Sequence, residues 1–173
     1  MNTMVKKLLT LNQLEFGNDT VAMERFDIVT MIKNCVQSTD ILTKQSGITV
    51  QYPNGNPVYV WGDEFIIEEV FTNYLSNAMN HCAGEKMIDI RLEKNNNKLR
   101  TIVFNTGIPI PEESISHIWE KFYKVDKART RAYGGSGVGL SIVKAIMESM
   151  HQQYGVINYD NGVAFWFELD TNE

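Results

Sequence analysis

The feature that most constrains this chain is a pair of motifs, one near the end of a long helical pattern and one opening another. The first, F-T-N-Y-L-S-N-A-M-N-H at residues 71–81, places Asn73 and Asn77 four positions apart on one helix face. The second, Y-G-G-S-G-V-G-L-S-I-V at residues 133–143, is a glycine-rich loop that runs into an amphipathic helix. Carboxamide oxygens suit a hard cation, and free backbone N–H groups suit an anion. Together the motifs predict a site for a metal-bound polyphosphate.

The composition of the 173-residue chain predicts one globular domain, since 43% of its residues are hydrophobic. A net charge of −5 argues against a nucleic-acid partner. Cys35 and Cys82 fall within helical patterns and are interpreted as reduced thiols, not as a disulfide scaffold or a zinc site. No apolar run reaches the roughly 20 residues of a membrane span, and no signal peptide is visible. We therefore expect a soluble, cytosolic domain.

The periodicity of apolar residues predicts a mixed α/β fold. Helices are predicted at residues 1–16, 27–46, 63–82 and 138–151, with a short one at 112–122. Strands are predicted at residues 48–52, 58–61, 87–92, 99–104, 153–158 and 163–169. The strand pairs look antiparallel, so we predict a two-layer α/β sandwich with a mixed, mostly antiparallel sheet covered by about three helices.

The glycine-rich loop has two interpretations when taken alone. Gly135, Gly137 and Gly139 allow a ligand to approach the backbone, and the helix beginning near Val138 presents its positive end. The spacing matches neither a Walker loop nor a dinucleotide-binding loop. A flexible hinge before a helix remains the alternative to phosphate binding.

Basic residues are concentrated just before this loop in an otherwise acidic chain: Lys121, Lys124, Lys127, Arg129 and Arg131. Such a cluster is commonly a solvated loop face. Next to a glycine-rich loop it is also suited to bind phosphate oxygens.

The asparagines distinguish between these interpretations, because asparagine is unfavourable inside a helix. Capping near the helix end explains Asn80 but not Asn73 or Asn77. A carboxamide oxygen is a suitable Mg²⁺ ligand where phosphates already supply negative charge. The asparagine pair therefore favours a phosphate site over a hinge.

These motifs resemble those of the catalytic ATP-binding domain of bacterial sensor histidine kinases, which has the Bergerat-type (GHKL) fold shared with gyrase and MutL. The similarity covers nearly the whole chain, and the motifs occur in the family's order: the N box at 73–81, the first glycine box at 105–111, the F box at 122–125 and the second glycine box at 135–140. The Asn-Thr-Gly form of the first glycine box is similar to that of vancomycin-resistance-type sensors.

The resemblance implies ATP and Mg²⁺ as cofactors and gives catalytic roles to two asparagines. Asn77 would hold the Mg²⁺ that bridges the phosphates. Asn73 lies where the ATPase relatives carry a glutamate that activates water. An amide is not a general base, which fits a protein that keeps its γ-phosphate for transfer to a histidine.

The resemblance also implies further nucleotide contacts and a domain division. The contacts would be His81, Asn105, Gly107, Phe122, Tyr123, Lys124, Arg129, Arg131, Gly135, Gly137, Val138, Gly139 and Leu140. Residues 1–17 resemble the end of an upstream dimerisation helix, and residues 18–173 the catalytic domain, with an ATP lid at about 106–136. The expected partners are that dimerisation and phosphoacceptor domain and a response regulator, with membrane attachment only through upstream segments.

The chain departs from the family pattern mainly on the adenine side. Asn105 replaces an aspartate that accepts a hydrogen bond from the adenine amine, and Pro109 replaces a glycine. Ala164 stands where the family often has a threonine beside the adenine, and Asn80 where it often has a lysine or arginine. A carboxylate accepts more strongly than an amide, so Asn105→Asp is expected to strengthen ATP binding about fivefold. Burial of the charge, or an amide that also donates, would reverse this sign.

None of the histidines, His81, His117 and His151, lies in a phosphoacceptor motif. The chain is therefore interpreted as a fragment, or as a kinase half that acts on a histidine elsewhere. Two alternatives are a regulatory docking module that binds nucleotide weakly and an anti-sigma-type serine kinase. The serine kinases usually keep an acidic residue at the position of Asn73 and lack an upstream dimerisation helix.

Overall fold

The computed structural model describes residues 22–121, 123 and 139–171. The strands in this part of the chain are β1 (Glu24–Asp27), β2 (Thr49–Gln51), β3 (Tyr59–Gly62), β4 (Met87–Asn95), β5 (Lys98–Thr106), β6 (Tyr154–Tyr159) and β7 (Gly162–Asp170). Its α-helices are α1 (Ile28–Ser38), α2 (Asp40–Gln45), α3 (Glu64–His81) and α4 (Gly139–Ser149), and Glu112–Ser114 form a 3-10 turn.

The strands form one mixed sheet in the order β1-β3-β7-β5-β4-β2, with β6 paired to β7. The β2–β4 pair is parallel, and the other pairs are antiparallel. Alternate residues of β5 are buried, as expected when helices cover one face of a sheet. The predicted fold class is confirmed, with four α-helices among the described residues where about three were expected.

The predicted helix over residues 27–46 is divided at Thr39. Asp27 caps its start as predicted, because its carboxylate accepts from the Val29 N–H at 3.0 Å. Ser38 Oγ then donates to the Cys35 carbonyl at 2.7 Å, and Thr39 Oγ1 to the Val36 carbonyl at 2.9 Å. These hydroxyls compete with backbone N–H groups for the carbonyls of the preceding turn. The helix α1 therefore ends at Ser38, and α2 begins as a separate helix at Asp40.

The strands β2 and β3 flank a Pro-Asn-Gly-Asn-Pro turn but do not pair with each other, since β2 lies at the sheet edge beside β4 and β3 lies between β1 and β7. Two details of the strand and helix prediction were wrong. The strand β1 was not predicted. Of the short helix expected at residues 112–122, the structure has only the 3-10 turn, followed by further turns.

The hydrophobic core lies between the helices and the sheet, and it includes the contact of α3 with β7. Tyr74 is fully buried, and its ring centroid lies 5.2 Å from that of Phe165 and 6.1 Å from that of Phe167. Its hydroxyl donates to the Trp166 carbonyl at 3.1 Å, which satisfies the polar end of a buried ring. The predicted apolar face of α3 is confirmed, and it fixes the direction in which the polar face of the helix points.

Both cysteines are free thiols, as predicted. Burial, together with the charge of Glu68, raises the pKa of Cys35 to about 11. Within the described ranges, no helix is long and apolar enough to cross a membrane.

Thr101→Val is expected to stabilise the fold. Thr101 Oγ1 is fully buried on β5 and has no hydrogen-bond partner among the described residues. An isosteric methyl group removes that unsatisfied hydroxyl, so the free energy of unfolding should rise by about 1 kcal/mol. Urea denaturation measures the change. The matched variant Thr106→Val should have the opposite effect, because Thr106 Oγ1 accepts from the Met87 N–H at 2.9 Å. Equal shifts in both variants would contradict this account.

Candidate functional site

The helix α3 holds Asn73 beside the start of α4. The side chain of Asn73 is 6% exposed, and its Nδ2 donates to the Glu69 carbonyl at 2.8 Å. A Cβ added to Gly139 would lie 3.0 Å from Asn73 Oδ1, so a larger residue there would press on the amide. The structure therefore brings together the asparagine motif and the end of the glycine-rich motif.

Asn77 lies one helical turn after Asn73 and is half-buried. Its amide makes no hydrogen bond within the part of the chain that the structure describes, which leaves its oxygen available to a ligand. The described residues also contain no group of three or more His, Cys, Asp or Glu side chains placed to hold a metal ion. An amide oxygen such as that of Asn77 is a possible ligand for a hard cation whose other ligands are phosphate and water.

Asn105 lies at the end of β5 and is 2% exposed. Its Nδ2 donates to the Thr106 carbonyl at 3.1 Å and reaches the His81 carbonyl at 3.5 Å. The Ala83 N–H donates to the Thr106 carbonyl at 2.9 Å, so the end of α3 is joined to the end of β5. The amide of Asn105 is thus held with its nitrogen turned toward the protein.

Gly107, two residues after Asn105, lies in a space too small for a side chain. Its φ of 156° lies outside the range that residues with a Cβ favour. A Cβ at this position would lie 2.6 Å from the His81 carbonyl oxygen. The glycine therefore allows the chain leaving β5 to pass against the end of α3.

Ala164, which was expected beside the adenine, lies on the face of the sheet opposite to that of Asn105. In the register of the sheet, Asn105 is opposite Val163, whereas Ala164 is opposite Phe104. Paired residues share a face and neighbours along a strand point to opposite faces. Val163, which is 4% exposed, is therefore the β7 residue on the same face as Asn105.

The structure reverses the expectation for Asn105→Asp. An aspartate would lose the Nδ2 donor and place a carboxylate oxygen about 3 Å from the Thr106 carbonyl, as Nδ2 is now. We expect this variant to unfold about 1–3 kcal/mol more easily and to bind ATP no more tightly than the wild type. Urea denaturation and paired ATP titrations at one pH measure both effects. If Asn105→Asp bound ATP more tightly with unchanged stability, the expectation drawn from the sequence would be correct.

The other predicted nucleotide contacts have different outcomes. His81 is the last residue of α3, and Leu140 lies in the first turn of α4 beside Gly139. Tyr123 donates from its hydroxyl to Ser114 Oγ at 3.0 Å and stacks on His117, so its nucleotide contact stays a prediction. The residues that lie outside the described part of the chain are Phe122, Lys124, Arg129, Arg131, Gly135, Gly137 and Val138.

Sequence reasoning missed the residues that support the site. Glu69 holds the Asn73 amide, and Thr106 joins the end of β5 to the start of β4. Asn158 on β6 contacts the loop that follows Gly107. Each of these is an isolated polar residue that belongs to no motif or periodic pattern in the sequence. The one available signal was the spacing of Glu69 and Asn73, which places them on the same face of α3.

Residues 62–173 match the model of the family described as histidine kinase-, DNA gyrase B-, and HSP90-like ATPase. This match covers the helix with the asparagine motif, both glycine motifs and the strands between and after them. The chain belongs to this family.

Within the family, the chain is similar to sensor kinases. It is 30% identical over 151 residues to the sensor protein kinase WalK of Staphylococcus epidermidis, covering 86% of this chain and 25% of that protein. The same identity and the same coverage relate it to WalK of Staphylococcus aureus. The chain thus spans about a quarter of the length of these curated relatives.

Solved structures agree with this placement. The catalytic domain of the histidine kinase ThkA, in a nucleotide-free form, is 28% identical with a TM-score of 0.76, covering 88% of this chain and 99% of that one. ThkA in complex with the response regulator protein TrrA is 25% identical with a TM-score of 0.76, covering 98% of this chain and 48% of that one. Full-length ShkA in complex with AMPPNP has a TM-score of 0.81 at 21% identity, which shows the fold alone, and covers 98% of this chain and 36% of that one.

Proposed function

We propose that the chain binds Mg²⁺-ATP between α3, the end of β5 and the start of α4, and donates the γ-phosphoryl group to a histidine on a separate dimerisation domain. The observation that carries this proposal is the approach of Gly139 to Asn73 Oδ1. It places a helix N-terminus, which attracts anions, beside a helix face with two amides.

The hydrogen bonds of Asn73 and Asn77 suggest a different role for each residue. Asn77, whose amide makes no hydrogen bond to the described residues, is the proposed Mg²⁺ ligand, and the ion would offset phosphate charge. Asn73 is neutral, and its Nδ2 is engaged by Glu69. A neutral amide does not take a proton from water, which favours transfer of the γ-phosphoryl group to a protein acceptor over hydrolysis.

Asn105 is the proposed adenine contact. Because its Nδ2 is turned toward the carbonyls of Thr106 and His81, Oδ1 is the atom left to accept a hydrogen bond. An acceptor pairs with the amine of adenine and opposes the carbonyl of guanine. We therefore expect ATP to be preferred over GTP.

The remaining assignments concern the longer protein. We propose that residues 1–17 end a dimerisation helix, that residues 18–173 are the catalytic domain, and that residues 106–136 include the ATP lid. WalK is named as a sensor kinase, and ThkA was crystallised with a response regulator. A response regulator and a dimerisation domain with the acceptor histidine are accordingly the proposed partners, and any membrane attachment would come from upstream segments.

Calorimetric titration tests the nucleotide proposal. ATP should bind in the micromolar to millimolar range with Mg²⁺, and more weakly with EDTA or when GTP replaces ATP. Absence of heat at millimolar ATP would favour the regulatory docking module. Phosphotransfer is tested by adding the dimerisation domain of WalK and labelled ATP, with the acceptor histidine replaced by alanine as the control. Label retained by that control would contradict transfer to the histidine.

A further inference from the structure

The loop that follows Gly107 is bound to the β6–β7 hairpin by the side chain of Asn158, which makes the hydrogen bonds that a neighbouring strand would make. Asn158 Oδ1 accepts from the Ile110 N–H at 3.0 Å, and Asn158 Nδ2 donates to the Ile110 carbonyl at 2.8 Å. Both backbone polar groups of one residue are therefore bound by one carboxamide. A second bond, from the Gly107 N–H to the Asn161 carbonyl at 3.0 Å, fastens the start of the same loop.

The sequence of the loop makes Asn158 hard to replace. Ile110 stands between Pro109 and Pro111, and proline has no backbone N–H. The Ile110 N–H is therefore the single backbone donor across residues 109–111. Without a partner on β6, this short segment has no other N–H through which the sheet could hold it.

The fastened loop borders the site. It begins directly after Asn105 and Thr106, and Gly107 lies against the His81 carbonyl oxygen. Ile110 is partly buried and packs against the hydrophobic core. The same face of β6 also carries Tyr154, whose ring contacts that of Trp119 at a centroid distance of 4.9 Å. One strand thus holds the chain after β5 at two places.

We propose that Asn158 is a positioning residue of the nucleotide site, which holds the Pro109-Ile110-Pro111 segment so that Asn105 and Gly107 keep their places beside the base. This inference rests on the proposed function. Asn158 does not touch the phosphates in this arrangement. Its loss should therefore weaken binding of adenosine, ADP and ATP by the same factor, and raise KM without changing kcat at saturating ATP.

The test compares two variants of Asn158. Asn158→Leu has a side chain of similar size and removes both hydrogen bonds, whereas Asn158→Asp keeps the acceptor oxygen and loses the N–H donor. Asn95→Asp is the matched control, because Asn95 is exposed on β4 at the far end of the β4–β5 hairpin. Amide exchange at Ile110 should accelerate roughly 10- to 100-fold in the Leu variant, since two hydrogen bonds are lost. Nucleotide affinity should fall about fivefold or more, because the loop is less preorganised.

The outcomes separate this inference from the proposed function. If the wild type binds no nucleotide, the proposed function and the positioning role both fail. If the wild type binds and the Asn158 variants bind equally well, the positioning role alone is overturned. Unchanged exchange at Ile110 in both variants would show that the side chain does not hold the loop. Urea midpoints of all variants establish that each one is folded.

Discussion

Asn77→Ala is expected to abolish Mg²⁺-dependent nucleotide binding and to leave the fold as stable as the wild type. The amide is half-buried and makes no hydrogen bond within the described part of the chain, so its removal breaks no hydrogen bond there. It is also the one protein ligand that we assign to the metal. Loss of a ligand should lower ATP affinity in the presence of Mg²⁺ by at least about 100-fold, the upper end of what is lost with supporting residues.

Titration of ATP with Mg²⁺ and with EDTA measures this effect. The variant should bind equally weakly in both conditions. Asn34→Ala is the matched control, because Asn34 is an exposed asparagine on α1 that lies beside Glu64 and Glu68, in the first half of α3. An Asn77 variant that keeps the Mg²⁺-dependent gain in affinity would show that the metal is held by other groups.

Gly107→Ala is expected to lower both stability and nucleotide binding. The new Cβ would lie 2.6 Å from the His81 carbonyl oxygen, and that oxygen belongs to the backbone, which cannot simply rotate away. The strain of the φ of 156° adds to the clash. We expect the free energy of unfolding to fall by roughly 2–4 kcal/mol. Nucleotide binding should be lost as well, because Asn105 and the end of α3 must move apart.

Urea denaturation and ATP titration test this variant together. Gly55→Ala is the control, because a Cβ on Gly55 would meet no atom within 4 Å and its φ is not in the left-handed region. It should match the wild type in both measurements. A Gly107 variant with normal stability would mean that the contact between the loop and α3 is loose.

The parts of the fold that could be predicted are those with strong local signals. The helix α3 has a capping aspartate, a regular apolar stripe and a clear end, and the β4–β5 hairpin has alternating strands around a polar turn. Asn73 and Asn77 were recognisable because asparagine is unusual inside a helix. The approach of Asn73 to Gly139 depends on the contact between α3 and α4, which the family resemblance implied and no local pattern could give.

What the sequence could not predict in the sheet has one physical cause, which is that strand partners are chosen by long-range packing. A short turn joins β2 and β3, yet β2 pairs with β4, and β3 pairs with β1 and β7. The strand β1 is four residues long and takes its pairing from β3. Register also decides that Ala164 lies on the face opposite to Asn105, because a shift of one residue exchanges the two faces of a strand.

The central position of β7 has a consequence for synthesis on the ribosome. β7 pairs with β3, β5 and β6, yet it follows all of them in the chain. The hydroxyl of Tyr74 finds its acceptor 92 residues later, at Trp166. A nascent chain that has released α3 and the β4–β5 hairpin therefore still exposes the apolar surface that β7 will cover. The domain should complete its fold only after residue 170 has left the exit tunnel, and until then it is a natural client for chaperones that bind unpaired strands.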